Sequence, residues 1–167
     1  MSQQLAGAIM IAFAVIVIAL MLWGWSRRRR RDAQVEVPIG EPVGSTIFSA
    51  NGFYVATTKH DDPLDRIATR PLAFRSRADI AVTEAGLALS LPGEKPVFVP
   101  ASRIVGAGRA TWTIDRVVER DGLVLVAWSD GSQILDTYVR LQDDDPAALV
   151  AAIEEVRPAH SPMGAHS

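Results

Sequence analysis

Residues 5–25, LAGAIMIAFAVIVIALMLWGW, hold no charged side chain and lead, after Ser26, into Arg27, Arg28, Arg29, Arg30 and Arg31. These 21 residues, at about 1.5 Å of helical rise each, make a rod of roughly 31 Å, the thickness of a bilayer core of about 30 Å. Ten of them are Leu, Ile, Val or Phe, and each favours insertion by about 0.3–0.6 kcal/mol near the helix centre. The stretch reads as a single transmembrane helix, with the lipid bilayer as its first partner. Trp23 and Trp25 fall where amphipathic rings settle at headgroup depth. The five arginines beyond them keep that end in the cytoplasm, so the expected site is the plasma (inner) membrane with the N-terminus outside. The same arginines can grip anionic headgroups at about 1 kcal/mol each. A cleaved signal peptide fits poorly, because it needs a basic stretch ahead of an apolar run of about 7–15 residues. Here residues 1–4 carry no basic side chain, the run is longer, and the basic cluster lies on its other side.

The 136 residues from 32 onward allow one globular domain. They contain 12 Lys and Arg against 19 Asp and Glu, a balance of −7 that the formal net charge of −2 conceals. An acidic body lacks the positive face that nucleic-acid binding requires, so nucleic acid is excluded as a partner. The chain has no cysteine, which removes disulfide and thiolate chemistry and fits a cytosolic domain.

Beyond the span, a basic juxtamembrane segment and linker occupy 26–45, where Pro38, Gly40, Pro42 and Gly44 interrupt any periodic pattern. From 46 to 158 the signals are short apolar runs between turn residues, as in an antiparallel β domain. Asn51-Gly52, between Ile47-Phe48 and residues 53–57, predicts a tight hairpin. Residues 59–71, KHDDPLDRIATRP, read as a long polar loop with a helical turn after Pro63. Leu72, Phe74 and Ser76 alternate with Ala73, Arg75 and Arg77, predicting a strand with two guanidinium groups on one face. Ile80 and Val82 lead through residues 83–86 into Leu87, Leu89 and Leu91. Val97 and Val99, Ile104 and Val105, and Trp112 with Ile114 mark further strands. Residues 123–128, LVLVAW, are apolar on both faces, which predicts the core strand, and residues 134–141 form its hairpin partner. Asp145-Pro146 starts a helix that buries Leu149, Ala152, Ile153 and Val156 and turns Glu154 and Glu155 outward. Residues 1–4 and 159–167 are tails, the latter expected to be disordered.

About seven strands closed by one helix resemble the pleckstrin-homology (PH) superfold as bacteria use it. The segments that carry the resemblance are VFVPASRIVGAG (97–108) and GLVLVAWSDGSQILDTYVRL (122–141). With the N-terminal span, the chain is similar to small actinobacterial single-pass membrane proteins with a bacterial PH-like domain. The resemblance implies a mainly β fold, a PH-like barrel of about seven antiparallel strands capped by a C-terminal α-helix and preceded by one N-terminal transmembrane helix. It does not carry phosphoinositide recognition over. Eukaryotic domains that bind those lipids use a basic first hairpin, whereas residues 49–52 are uncharged.

A search for chemistry finds little. His60, Asp61, Asp62 and Asp65 lack the spacing of a metal loop and read as a solvated acidic loop, and His160 and His166 lie in the tail. No nucleophile elbow, phosphate-cradling glycine loop or HExxH helix occurs. No catalytic residue, metal or cofactor is therefore assigned, and the chain reads as a non-enzyme. Trp112, Trp128 and Tyr138 read as core or hairpin aromatics. Arg66, Arg70, Arg75 and Arg77 are the basic concentration of the acidic body. They read either as a strand face neutralised by Asp62, Asp65 and Asp79 or as a contact surface for an anionic lipid or an acidic partner. The sequence thus points to a membrane-anchored scaffold that recruits a protein partner. An anionic-lipid module and an accessory subunit of a transport or envelope-assembly complex are its alternatives.

Overall fold

The computed structural model describes residues 3–32, 35–60, 62–110 and 122–158. The strand expected around Trp112 and Ile114, Asp61, and the tail with His160 and His166 lie outside the described residues. The chain divides into two compact units, Met1–Val35 and Glu36–Ser167.

The first unit is α1, Gln3–Asp32. Its window Gly7–Arg27 has a mean hydropathy of 2.6 and is long and apolar enough to cross a membrane, and none of it is buried. Met10, Phe13 and Met21 are among the bare side chains. A helix on the surface of a soluble domain keeps one polar face, and this window has none.

The second unit is built on β1, Thr46–Lys59, which the sequence led us to expect as a hairpin turning at Asn51-Gly52. The strand instead runs straight through that dipeptide. Gly52 serves close approach: a Cβ there would overlap the carbonyl oxygen of Arg140. Its first part pairs with β3, Ser76–Thr83, from Thr46↔Thr83 to Tyr54↔Ser76. Its second part pairs with β8, Ile134–Leu141, from Gly52↔Leu141 to Lys59↔Leu135. One long strand therefore belongs to both halves of the sheet. A bulge between Tyr54 and Ala56 shifts the alternation, and Val55 through Thr58 are all buried.

Residues 59–71 are likewise not a loop with a helical turn. β2, Asp62–Arg66, folds back on the end of β1 (Thr58↔Arg66, Lys59↔Asp62). Ile67 and Leu72 then enter the core at 0% and 1% exposure, with Ile67 N donating to Thr57 O at 2.8 Å. With these anchors in place, residues 70–74 form turns and a bend, and β3 begins at Ser76 and not at Leu72. Phe74, expected on an apolar strand face, is 73% exposed.

The remaining elements follow the expected order: β4 Gly86–Ser90, β5 Val97–Pro100, a 3-10 turn Ala101–Arg103, β6 Ile104–Ala110 and β7 Leu123–Ser129. The strand path is β5-β4-β3-β1-β8-β7-β6, with β2 on β1. β7 is buried on both faces, as its sequence predicted; Val124, Val126 and Trp128 on one face are 0–1% exposed, and Leu123 and Ala127 on the other are 1% and 6%. Such side chains stabilise the fold by about 1.5–3 kcal/mol each.

α2, Pro146–Val156, is capped by Asp145, whose carboxylate accepts from Ala147 N at 2.9 Å. It buries Leu149, Ala152 and Ile153 against the inner side of the sheet, mainly at β6. Glu154, expected to face outward, reaches the β6 edge, accepts from Ala107 N at 2.8 Å and pairs with Arg157 at 2.6 Å. Arg157 donates to Val105 O at 2.8 Å. Unpaired strand edges invite unwanted pairing, and here α2 side chains satisfy part of the β6 edge. The β5 edge has a cover of its own. Ile39 bridges Val97, Phe98 N donates to Pro38 O at 2.9 Å, and Gly40 N donates to Pro96 O at 3.1 Å. Residues 38–40, read in the sequence as linker, are a strap along the sheet.

Candidate anion-contact surface

The wall of the sheet opposite α2 carries the feature most suited to a ligand. Alternation along β1 turns Ala50, Gly52 and Tyr54 inward and leaves Asn51 and Phe53 on the outer face. Phe53 is the direct antiparallel partner of Arg77 on β3 and of Arg140 on β8. Facing side chains in such pairs start about 4.5–5.5 Å apart at Cβ, so two arginines flank one ring. A third, Arg75, lays its guanidinium over that ring at 5.9 Å from the centroid, a cation–π contact worth about 0.5–1 kcal/mol at an exposed site.

Arg75, Arg77 and Arg140 are exposed, and among the described residues none of them is in an ion pair. Three like charges without a counter-ion make a surface that favours an anion. Asp79 is two residues beyond Arg77, opposite Asn51. It helps line a shallow depression of about 200 Å³ with Arg77, Ser90, Leu91 and Pro92. Its carboxylate disfavours an anion on that side, so the positive part of the wall is the stretch from Arg77 across Phe53 to Arg140.

The other two sequence candidates lie elsewhere. Arg66 is half-buried and donates through Nη2 to Val55 O at 3.2 Å, and Arg70 is 3.5 Å from Glu94. Asp65 pairs with Lys59 at 3.1 Å, and Asp62 accepts from Leu64 N at 3.3 Å. Sequence reasoning missed Phe53 and Arg140. The alternation of β8 does place Arg140 outward, but nothing local says that β8 lies beside β1. Residues 49–52, expected as an uncharged first turn, lie inside β1. The connection from β1 to β3 is residues 60–75, and it carries Arg66, Arg70 and Arg75.

His60 Nδ1 sits 2.9 and 3.0 Å from the two carboxylate oxygens of Asp136, itself 5% exposed. No group of three or more His, Asp or Glu among the described residues is arranged to hold a metal. Trp128 and Tyr138 are buried. At the β7–β8 hairpin, burial pushes the Asp130 carboxyl up. Hydrogen bonds from the backbone N–H groups of Ser132 and Gln133 and from their side chains outweigh that and hold it below the usual range. On α1, Trp23 and Trp25 are exposed, and the Arg27 guanidinium stacks over the Trp23 ring at 5.8 Å. Arg30 is exposed, while the side chains of Arg28, Arg29 and Arg31 lie outside the description.

A seven-strand path in the order 5-4-3-1-8-7-6, bent around one long strand and closed by a C-terminal helix, defines a PH-like domain. The Bacterial PH domain-like family matches residues 34–156; the chain belongs to that family. Among curated proteins, none matches it. Domains of this kind are generally non-catalytic modules for contact with lipid or protein.

Proposed function

We propose that this protein is a non-enzymatic interaction module, held by a single N-terminal span at the cytoplasmic face of the plasma membrane, that recruits a protein partner there. The observation that carries this reading is the conjunction, in one chain, of a PH-like domain and a bare apolar helix of 21 residues. A tether raises the local concentration of whatever docks on the domain. Five arginines at the end of the apolar run support the orientation. Affinity purification of the full-length chain from detergent-solubilised native membranes is expected to return one reproducible protein. A set of proteins no different from that captured by an unrelated single-span control would overturn the reading. A reporter joined after Ser167 is expected to be active in the cytoplasm, and activity only outside it would reverse the topology.

A second reading, contact with anionic lipid, draws on Arg75, Arg77 and Arg140, which hold no ion pair among the described residues, and on Leu64 and Phe74, 79% and 73% exposed on the same β1–β3 connection.

A further inference from the structure

The geometry points to the outer wall of β3, β1 and β8 as a docking surface for the anionic leaflet of the bilayer. Arg75, Arg77 and Arg140 contact headgroup phosphates, and the ring of Phe74 enters the interface beside them. This rests on the second reading above and gives it a location, an orientation and a reduced set of residues, leaving out Arg66 and Arg70.

Three observations select lipid over a protein surface. First, the wall meets its ligand with charge. Protein interfaces centre on a desolvated apolar patch with a polar rim, whereas Phe53 is half-buried beneath the Arg75 guanidinium. Second, the large exposed apolar residues of β1, β2 and the turn before β3 are Ile47, Leu64 and Phe74, one on each and not consecutive. An aromatic ring beside arginines suits the headgroup boundary, where apolar body and charge are both accommodated. Third, the chain carries its own bilayer element and a short leash. With Pro38 and Gly40 pinned on β5, five residues, 33–37, separate the end of α1 from the strap, and a chain of that length reaches about 20 Å. A charge near an anionic leaflet gains energy only within a Debye length of it, about 8 Å at physiological salt; the tether supplies local concentration, and the arginines supply the contact.

The chain has no cysteine, so a single Phe74→Cys substitution accepts one environment-sensitive fluorophore, itself an apolar surrogate for the ring. An Ala151→Cys label on the exposed side of α2, across the sheet from the wall, reports on the opposite face. The labelled full-length protein is placed in vesicles of phosphatidylcholine, with or without phosphatidylglycerol, and read by quenching from spin-labelled lipid. The expected result is quenching at position 74 only with phosphatidylglycerol, and none at position 151. Adding R75Q, R77Q and R140Q together should lower the docked-to-free ratio roughly a hundredfold, about fivefold for each charge. All three side chains are exposed, so circular dichroism should be unchanged. Equal quenching in both vesicle types, or quenching that survives the triple substitution, overturns the proposal. Quenching at position 151 alone would move the lipid face elsewhere and leave the second reading standing, while silence at both positions would end that reading too. If the triple substitution instead abolishes partner recovery without altering lipid contact, the wall is a protein site.

Discussion

Tyr54 places its hydroxyl in the core, 2.8 Å from the carbonyl of Leu72 and 3.0 Å from Thr57 Oγ1. Thr57 Oγ1 is 2.9 Å from Thr137 Oγ1, which accepts from Trp128 Nε1 at 2.9 Å. A phenol has one proton, and a carbonyl can only accept, so the chain of bonds runs one way, from the indole through both threonines to Tyr54 and on to Leu72. Every buried hydroxyl in it is satisfied, which is what makes such a network stabilising. Burial is the main reason that the Tyr54 phenol is pushed up to about 12, against the lowering effect of Thr57 and the Arg66 charge. A group raised in the folded state contributes stability that is complete below its unfolded value of 10.0 and is lost as pH rises toward about 12. Tyr54→Phe should therefore cost about 1–3 kcal/mol near neutral pH and remove this part of the alkaline loss between those two values. Denaturant titrations of both proteins at a series of alkaline pH values would check it. An unchanged alkaline slope in the variant would show that the phenol is not the group responsible. The Asp145-Pro146 cap was legible in the sequence because all its partners lie within a few residues. The Tyr54 network was not, since Thr57 and Thr137 are brought together only by the pairing of β1 with β8.

Among the elements, β1 teaches the most. Asn51-Gly52 is a strong hairpin signal because Gly tolerates positive φ, yet the same lack of a Cβ serves equally where two backbones approach closely. Local sequence does not separate these uses; the partner strand does. Gly52→Ala would drive a methyl into the Arg140 carbonyl and against Ile80, which should cost about 2–4 kcal/mol. A Cβ at Gly108 meets nothing within 4 Å, so Gly108→Ala should be neutral or stabilise by up to about 1 kcal/mol. Urea midpoints of the two variants would rank them, and equal midpoints would refute the close-approach account. Residues 59–71 misled for a different reason. Pro63 and the charges suggest a loop, while the residues that hold the segment, Ile67 and Leu72, are too few and too irregularly spaced to make a period. Helical periodicity alone turns Glu154 outward, because it carries no information about the β6 edge. Glu154→Ala should cost about 1–3 kcal/mol by leaving Ala107 N unpaired, seen as faster amide exchange at Ala107.

For the molecule as a whole, the legible parts were those with short-range signatures: the apolar run, the hairpins at Glu84-Ala85 and Asp130-Gly131, the doubly buried β7, and α2. The class of fold followed from their number and order. Half of the candidate surface followed too, because Arg75 and Arg77 are close in sequence. Its other half depends on β1 lying between β3 and β8, a long-range arrangement that no short window contains.

The strap on β5 bears on where the domain starts. A soluble fragment begun at Thr46 omits Pro38, Ile39 and Gly40, and so bares the amide of Phe98 and the carbonyl of Pro96 along a raw margin of four residues. Such a fragment should self-associate in sedimentation velocity, whereas one begun at Glu36 should remain monomeric. The folding unit thus extends upstream of its first long strand, and the first stretch of polypeptide after the apolar helix is also the first stitch of the sheet.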